Sequence, residues 1–236
     1  MMKNIATKIK AYILRSQISD ISKSVISRNL TYLSYQKIIN LENCIKEINN
    51  KNIPGAFIEA GVALGGSAII ISKLIPKDRS FHGYDVFEMI PPPSDKDNDD
   101  SKTRYEVIKS GKSKGINNDV YYGYLDNLYE RVIKTFKSFG LEVGGKQISL
   151  HKGLFENTMH FSSEQKVALA HIDCDWYEPV YFCLTQIYDV WSRGGYIILD
   201  DYHDYGGCKK AVDEFLEKHS DIAVVTKNSN LVLVRK

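Results

Sequence analysis

From residue 55 to residue 218 the sequence alternates short apolar runs with stretches whose apolar residues fall at helical spacing. The runs are Ala56-Phe57-Ile58, Phe81 to Tyr84, Ile148 to Leu150, Val167 to Ile172 and Tyr196 to Leu199. The helical stretches are Ala68 to Leu74, Val180 to Trp191 and Cys208 to Lys218. Strands separated by helices pair through crossovers rather than hairpins, so the pattern predicts an α/β core with a mostly parallel, doubly wound sheet. The chain closes differently: Ile222 to Thr226 and Leu231 to Arg235 flank the polar turn Lys227 to Asn230 and predict an antiparallel hairpin.

Ahead of this core, Ile5, Ile9, Tyr12 and Ile13 predict one helix over residues 3 to 19, and Leu33, Ile38, Ile39 and Leu41 predict a second over 31 to 49. The chain thus divides into N-terminal helices, 1 to 54, and a core domain, 55 to 236, with an insertion at 91 to 140. The apolar faces of the two helices are expected to pack between subunits of a homodimer. Between Pro91 and Asp119 there is almost nothing to bury, and the segment reads as a mobile lid or a plain surface loop at the ligand-binding edge. Asp95, Asp97, Asp99 and Glu106 have calcium-loop spacing, but Asp100 stands where that loop needs glycine and Pro91-Pro92-Pro93 forbids the entering helix, so a solvated acidic loop is expected.

Composition narrows the function. The 31 basic and 29 acidic residues leave a net charge of +2, which gives no field for nucleic acid or an anionic membrane. The four cysteines, Cys44, Cys174, Cys183 and Cys208, are scattered, which argues against a zinc knuckle or a disulfide framework and for a reducing, cytoplasmic setting. Lysines and an arginine interrupt the amino-terminal apolar residues, so neither an export signal nor a membrane span is expected. Small-molecule chemistry is the default.

Phe57-Ile-Glu59-Ala-Gly61-Val62-Ala-Leu-Gly65-Gly66-Ser67 runs from a strand into a helix through three glycines, where backbone can approach a ligand closely. Glu59, read as part of this turn, would repel a pyrophosphate but attract the sulfonium and ammonium groups of S-adenosylmethionine. Asp85 ends the next strand, where a carboxylate can accept hydrogen bonds from ribose hydroxyls; it serves NAD equally well, and it can instead cap a turn.

His171-Ile-Asp173-Cys-Asp175 leaves one strand and Asp200-Asp201-Tyr-His203 leaves the next. If those strands are neighbours, Asp173, Asp200 and Asp201 converge, and three carboxylates that close call for a cation. Oxygen ligands favour Mg²⁺, with Ca²⁺ or Mn²⁺ able to substitute. Helix capping accounts for one such aspartate, not three. Asp173, Asp175 and His203 are the candidate proton acceptors, with Asp173 first, while His171 reads as a core residue.

These motifs resemble the macrocin O-methyltransferase family, metal-dependent class I methyltransferases acting on sugar hydroxyls. The resemblance covers roughly residues 55 to 220 and rests on Glu59-x-Gly61-x-x-x-Gly65-Gly66, Asp85-x-Phe87 followed by prolines, Lys152-Gly-Leu-Phe155-x-x-Thr158, His171-Ile-Asp-x-Asp175-x-Tyr177-Glu178, and Asp200-Asp-Tyr202 leading to Gly207-Cys-x-x-Ala211-Val-Asp213-Glu-Phe215. It implies a seven-stranded sheet with an antiparallel last strand, and cofactor contacts from Glu59, Gly61 and Asp85 together with Val62, Gly65, Gly66, Ser67, Phe87, Gly153 and Phe155. It further implies Mg²⁺ on Asp173, Asp200 and Asp201, and a small-molecule hydroxyl acceptor, a sugar above all. Residues 91 to 140 depart from the family pattern, so the acceptor pocket is not read from it. Two other readings stand beside this one: a nicotinamide-dependent oxidoreductase, which leaves the acids without a purpose, and a noncatalytic metal-dependent glycan-binding module, which leaves the glycine turn without one.

Overall fold

The computed structural model describes residues 2–236, with side chains 2–8 and 10 left undescribed. Seven strands form one sheet in the order β3-β2-β1-β4-β5-β7-β6. They are β1 (Ala56–Ala60), β2 (Phe81–Asp85), β3 (Ile148–Lys152), β4 (Val167–Ile172), β5 (Trp191–Leu199), β6 (Ile222–Thr226) and β7 (Leu231–Arg235). Strands β1 to β5 pair in parallel, while β7 inserts between β5 and β6 and runs antiparallel to both.

The sheet is covered on both faces because its side chains alternate. On one face Phe57, Leu169 and Ile198 join a core with α3 (Tyr35–Asn50), α4 (Gly66–Leu74) and α6 (Leu128–Ser138). On the other, Ile58, Ala170 and Ile197 join α8 (Tyr177–Tyr188) and α9 (Gly206–Glu217). A single helical turn of four residues, α7 (Phe155–Thr158), follows β3. Strand β5 begins at Trp191, which the sequence pattern had assigned to the end of a helix; Arg235 guanidinium binds the Trp191 carbonyl at 2.7 Å and fixes the strand's entry.

The amino-terminal segment holds three helices rather than two: α1 (Met2–Gln17), α2 (Asp20–Ser27) and α3. A serine starts α2, with the Ser19 side chain accepting the Ser22 N–H. Glu42 of α3 in turn accepts the Ser19 N–H at 3.1 Å and the Ser22 hydroxyl at 2.6 Å, so a carboxylate complements the N-terminus of α2. Ile9, Tyr12 and Ile13 of the expected apolar face are exposed, and the Ile5 side chain lies outside the described residues.

The polar insertion is folded. Helix α5 (Asp99–Lys109) lies in it, and the loop before it is tied down by Asp97, which accepts the Ser94 N–H at 2.9 Å and the Tyr177 N–H at 2.8 Å. Asp97 is buried, so the solvated acidic loop expected at 95 to 106 is corrected: one of its carboxylates caps α8. Asp100 likewise accepts the Gly206 N–H at the start of α9, at 3.0 Å.

Candidate active site

The carboxyl ends of β1, β2 and β4 enclose a cavity of about 480 Å³, lined among others by Gly61, Asp85, Phe155, Asp173, Asp175 and Trp176. Its position follows from the strand order, since successive strands are laid down outward from β1 on one side and from β4 on the other, and the loops above them part there.

Gly61 leaves β1 at φ +95°, and a Cβ there would lie 1.8 Å from the carbonyl oxygen of Asp173. Only glycine lets the turn pass this close to the β4 terminus. Asp85 holds the same turn from the other side: Oδ2 accepts the Val62 and Ala63 N–H groups at 2.8 and 2.9 Å, and Oδ1 accepts the Phe87 N–H at 2.6 Å. Burial pushes its carboxyl up, and these three donors pull it down. A carboxylate has about four lone-pair sites, so Asp85 clamps the turn and keeps one acceptor position for a ligand.

The other expected cofactor residues have varied places. Gly65 and Gly66 serve packing: a Cβ would lie 3.1 Å from Val132 on α6 in the first case and 2.2 Å from the Leu30 carbonyl in the second. Val62 and Ser67 are buried, and Phe87 packs edge-on against Tyr129 at 5.0 Å. The Gly153 N–H donates to the Asp85 carbonyl at 2.9 Å, beside a shallower depression lined by Glu88, Met89 and Leu154.

Glu59 differs from the sequence expectation. It lies within β1, fully buried, with Oε1 2.8 Å from His171 Nδ1 on the adjacent strand β4. Burial raises its pKa, with His171 and Ser67 opposing. His171 is buried too, and although burial disfavours its charge, Asp200 and Glu59 on its two sides lift it to about 9. Glu59 therefore anchors β1 to β4 rather than facing the cavity.

The acids form two overlapping groups. Asp173, Asp175 and Asp201 bring one oxygen each within 4.8 Å of one another, and so do Asp200, Asp201 and Asp204. Asp200 is held by Lys37 Nζ at 2.7 Å, and Lys37 also meets Asp204 at 2.9 Å, while Asp200 stays close enough to Asp173 to raise its carboxyl pKa. Burial raises the carboxyl of Asp200, but His171 and Lys37 together bring it below its ordinary value. Asp173 and Asp201 have no such partner: burial, then the neighbouring aspartates, drive both well above the usual carboxylate range. Asp175, pushed up to about 6 chiefly by burial, adopts φ +58°, an uncommon conformation for aspartate that points to a functional constraint. His203 sits outside the cavity, exposed, with Nε2 2.8 Å from the Lys227 carbonyl.

Tyr122, Cys174 and Trp176 also line the cavity, and the sequence carried no periodicity or motif that singled them out. Lys37 was equally hidden, being 163 residues from Asp200 on a helix that reads as an ordinary amphipathic surface element.

The family model for macrocin O-methyltransferase (TylF) matches residues 14–229. The chain belongs to this family. It is an S-adenosylmethionine-dependent O-methyltransferase. Demethyldecarbamoylnovobiocin O-methyltransferase of Streptomyces niveus is 27% identical over 197 residues, covering 82% of this chain and 70% of that one. Mycinamicin III 3''-O-methyltransferase of Micromonospora griseorubida is 26% identical over 193 residues, covering 80% and 71%. The solved structure of the O-methyltransferase NovP superposes with a TM-score of 0.72 at 25% identity, covering 88% of this methyltransferase and 82% of NovP. The oxidoreductase and glycan-binding readings lose their footing with the family established. No helix among the described residues is long and apolar enough to cross a membrane.

Proposed function

We propose that this methyltransferase acts on a hydroxyl of a sugar or sugar-like small molecule with the help of one divalent cation, Mg²⁺ first and Ca²⁺ or Mn²⁺ as substitutes. The observation that carries the reading is the meeting, in one cavity, of the Gly61–Asp85 turn with Asp173 and Asp175. The sugar acceptor is supported by the relatives named for methylation of mycinamicin III at 3'' and of a rhamnosyl tetracenomycin at 4'.

S-adenosylmethionine would lie against the Gly61 turn, with the free acceptor position of Asp85 taking a ribose hydroxyl. Asp173 and Asp201, neither of which meets a lysine or arginine within 4.0 Å among the described residues, fit a hard cation; Mg²⁺ is commonly held by one or two carboxylates with water and substrate oxygens completing its shell. Bound there, the ion would lower the pKa of the acceptor hydroxyl. Asp175 takes the proton: near pH 7 it is ionised, yet basic enough to accept one. S-adenosylmethionine, when bound, would supply the methyl group for in-line transfer to the acceptor oxygen, and orienting the two reactants would be the protein's main contribution. Asp175 thus replaces Asp173 as first choice of base, and exposed His203 falls away from it.

A homodimer is proposed on Ile9, Tyr12 and Ile13, which are 54%, 76% and 51% exposed on α1. A cytoplasmic setting is supported by four buried free cysteines. Calorimetry with S-adenosylhomocysteine and NAD, followed by transfer of labelled methyl to a panel of free and glycoside-linked sugars, tests the reading. Binding of S-adenosylhomocysteine without transfer to any sugar, alongside transfer to phenolic hydroxyls, would overturn the acceptor class.

A further inference from the structure

Three lysines near the cavity are committed to acids. Lys37 meets Asp200 at 2.7 Å, Lys96 meets Glu178 at 3.0 Å and Lys152 meets Glu88 at 3.1 Å. Arg104 of α5 differs. It is half-buried, and among the described residues no carboxylate stands within 4.0 Å of its guanidinium. Its close partners are neutral: Nη2 donates to the Ser113 hydroxyl at 2.9 Å, and the guanidinium lies 5.8 Å from the centre of the Tyr121 ring. Tyr121 is buried and packs at 4.4 Å against Tyr122, which lines the cavity, and Tyr32, from the loop before α3, meets Tyr122 edge-on at 6.1 Å. Arg104 is thus braced beside the cavity, and its charge reaches the cavity wall: burial raises the pKa values of Asp175, Tyr32 and Tyr205, and Arg104 opposes that rise in all three.

We propose that Arg104 determines acceptor specificity by binding an oxyanion, the carboxylate or phosphate of an acidic sugar whose reacting hydroxyl lies at Asp175. A guanidinium presents five N–H donors in a planar fork, and Ser113 takes one, so a pair remains for two oxygens of one anionic group. A cation withdrawn from water with only neutral partners is incompletely compensated, and an anion arriving with the acceptor supplies what is missing. The aspartates of the same cavity repel an anion placed anywhere but at the guanidinium, so Arg104 also fixes which end of the acceptor enters first. Both Arg104 and Ser113 belong to the insertion, the part of the chain that departs from the family pattern, so this preference is the chain's own. It rests on the reading of the acceptor as a sugar and narrows it.

Ligand-observed NMR on the full chain, saturated with S-adenosylhomocysteine and Mg²⁺, tests this with glucose, glucuronate and glucose-6-phosphate as probes. The wild type should hold at least one acidic sugar roughly ten- to a hundredfold more tightly than glucose, the gain expected of charge-assisted hydrogen bonds, and which acid it prefers separates carboxylate from phosphate. Arg104→Gln keeps a donor for Ser113 and should erase the preference while leaving the affinities for glucose and S-adenosylhomocysteine unchanged. Attraction by Mg²⁺ is common to both proteins, so the difference between them belongs to Arg104. Arg104→Lys, a point charge without the fork, should keep only part of the preference, and it carries the test if the glutamine variant does not fold. Equal binding of glucose and both acids by the wild type, a preference undiminished in either variant, or an equal loss for glucose and acid in Arg104→Gln would overturn the proposal and leave the sugar reading standing. Binding of catechol with no sugar of either kind would remove the sugar reading itself.

Discussion

Gly61 passes so close to Asp173 that a single added carbon would sit 1.8 Å from the Asp173 carbonyl oxygen. The glycine turn after β1 and the acidic end of β4 are thus fitted to each other through backbone. Gly61→Ala combines a positive φ with a backbone clash and should cost roughly 2–5 kcal/mol. Chemical denaturation should report that loss, and S-adenosylhomocysteine should no longer shift the transition. An alanine variant of wild-type stability and affinity would mean that the turn sits farther from β4.

The acid groups predict an asymmetry between adjacent residues. On the proposed reading of Asp173 and Asp201 as metal ligands, Asp201→Asn and Asp173→Asn should each weaken Mg²⁺ binding by roughly a hundredfold and leave S-adenosylhomocysteine affinity intact. Asp200→Asn should cost much less, because its carboxylate is committed to Lys37. Without metal, Asp173→Asn should match or exceed the wild type in stability, since it relieves repulsion among neighbouring acids. Titration calorimetry checks the order; a larger loss for Asp200→Asn than for Asp201→Asn would return the ion to the trio first read from the sequence.

Asp97 caps α8 from 80 residues away by accepting the Tyr177 N–H. Asp97→Ala would leave that buried donor without a partner and release the loop from 91 to 98, a loss of about 1–3 kcal/mol. Hydrogen exchange should rise at both Ser94 and Tyr177. Exchange rising at Ser94 alone would show that α8 is capped without it.

His82 and His151 predict a pH dependence. Their ring nitrogens lie 3.2 Å apart, one donating and one accepting, a bond that is lost when both rings are protonated. Burial, then the charge of His151, lowers the pKa of His82, and burial lowers that of His151. The folded values lie below the unfolded one of about 6.5, so between them the unfolded chain binds more protons. Their contribution is complete above pH about 6.5 and is lost as pH falls through the folded values. His151→Gln keeps a hydrogen-bonding partner without the titration, so wild-type stability relative to this variant should decline from pH 7 to pH 5. A constant difference in urea midpoint would dismiss the pair as a titrating element.

Removing residues 1–17 should eliminate the exposed Ile9, Tyr12 and Ile13 and, on the dimer reading, leave a monomer. Light scattering at micromolar concentration decides it: a one-chain mass before and after truncation contradicts the dimer.

The strands were legible because each buries one row of apolar side chains toward either face, and the terminal hairpin because its turn is polar. Helix α5 was not. Within it only Ser101 and Ile108 are buried, so it has no apolar stripe; nearby Asp97 and Asp100 dock the segment through polar bonds to the starts of α8 and α9. Helix α2 is eight residues long, too short for periodicity to separate it from a loop, and it depends on Glu42 of another helix. At the site, residue types were readable and their directions were not. Glu59 faces His171 because β1 and β4 are neighbours with those residues in register, and Asp200 pairs with Lys37, which arrives from α3. Both facts belong to strand order and helix placement, which no local pattern encodes.

The contact between Glu59 and His171 joins positions 112 residues apart. Loop closure over that length precedes any gain from the contact, so the cavity cannot exist in a chain whose two halves have yet to meet. A ligand seated between Gly61 and Asp173 thereby reports on completed folding, and its binding energy is added to the whole domain at once rather than to either half.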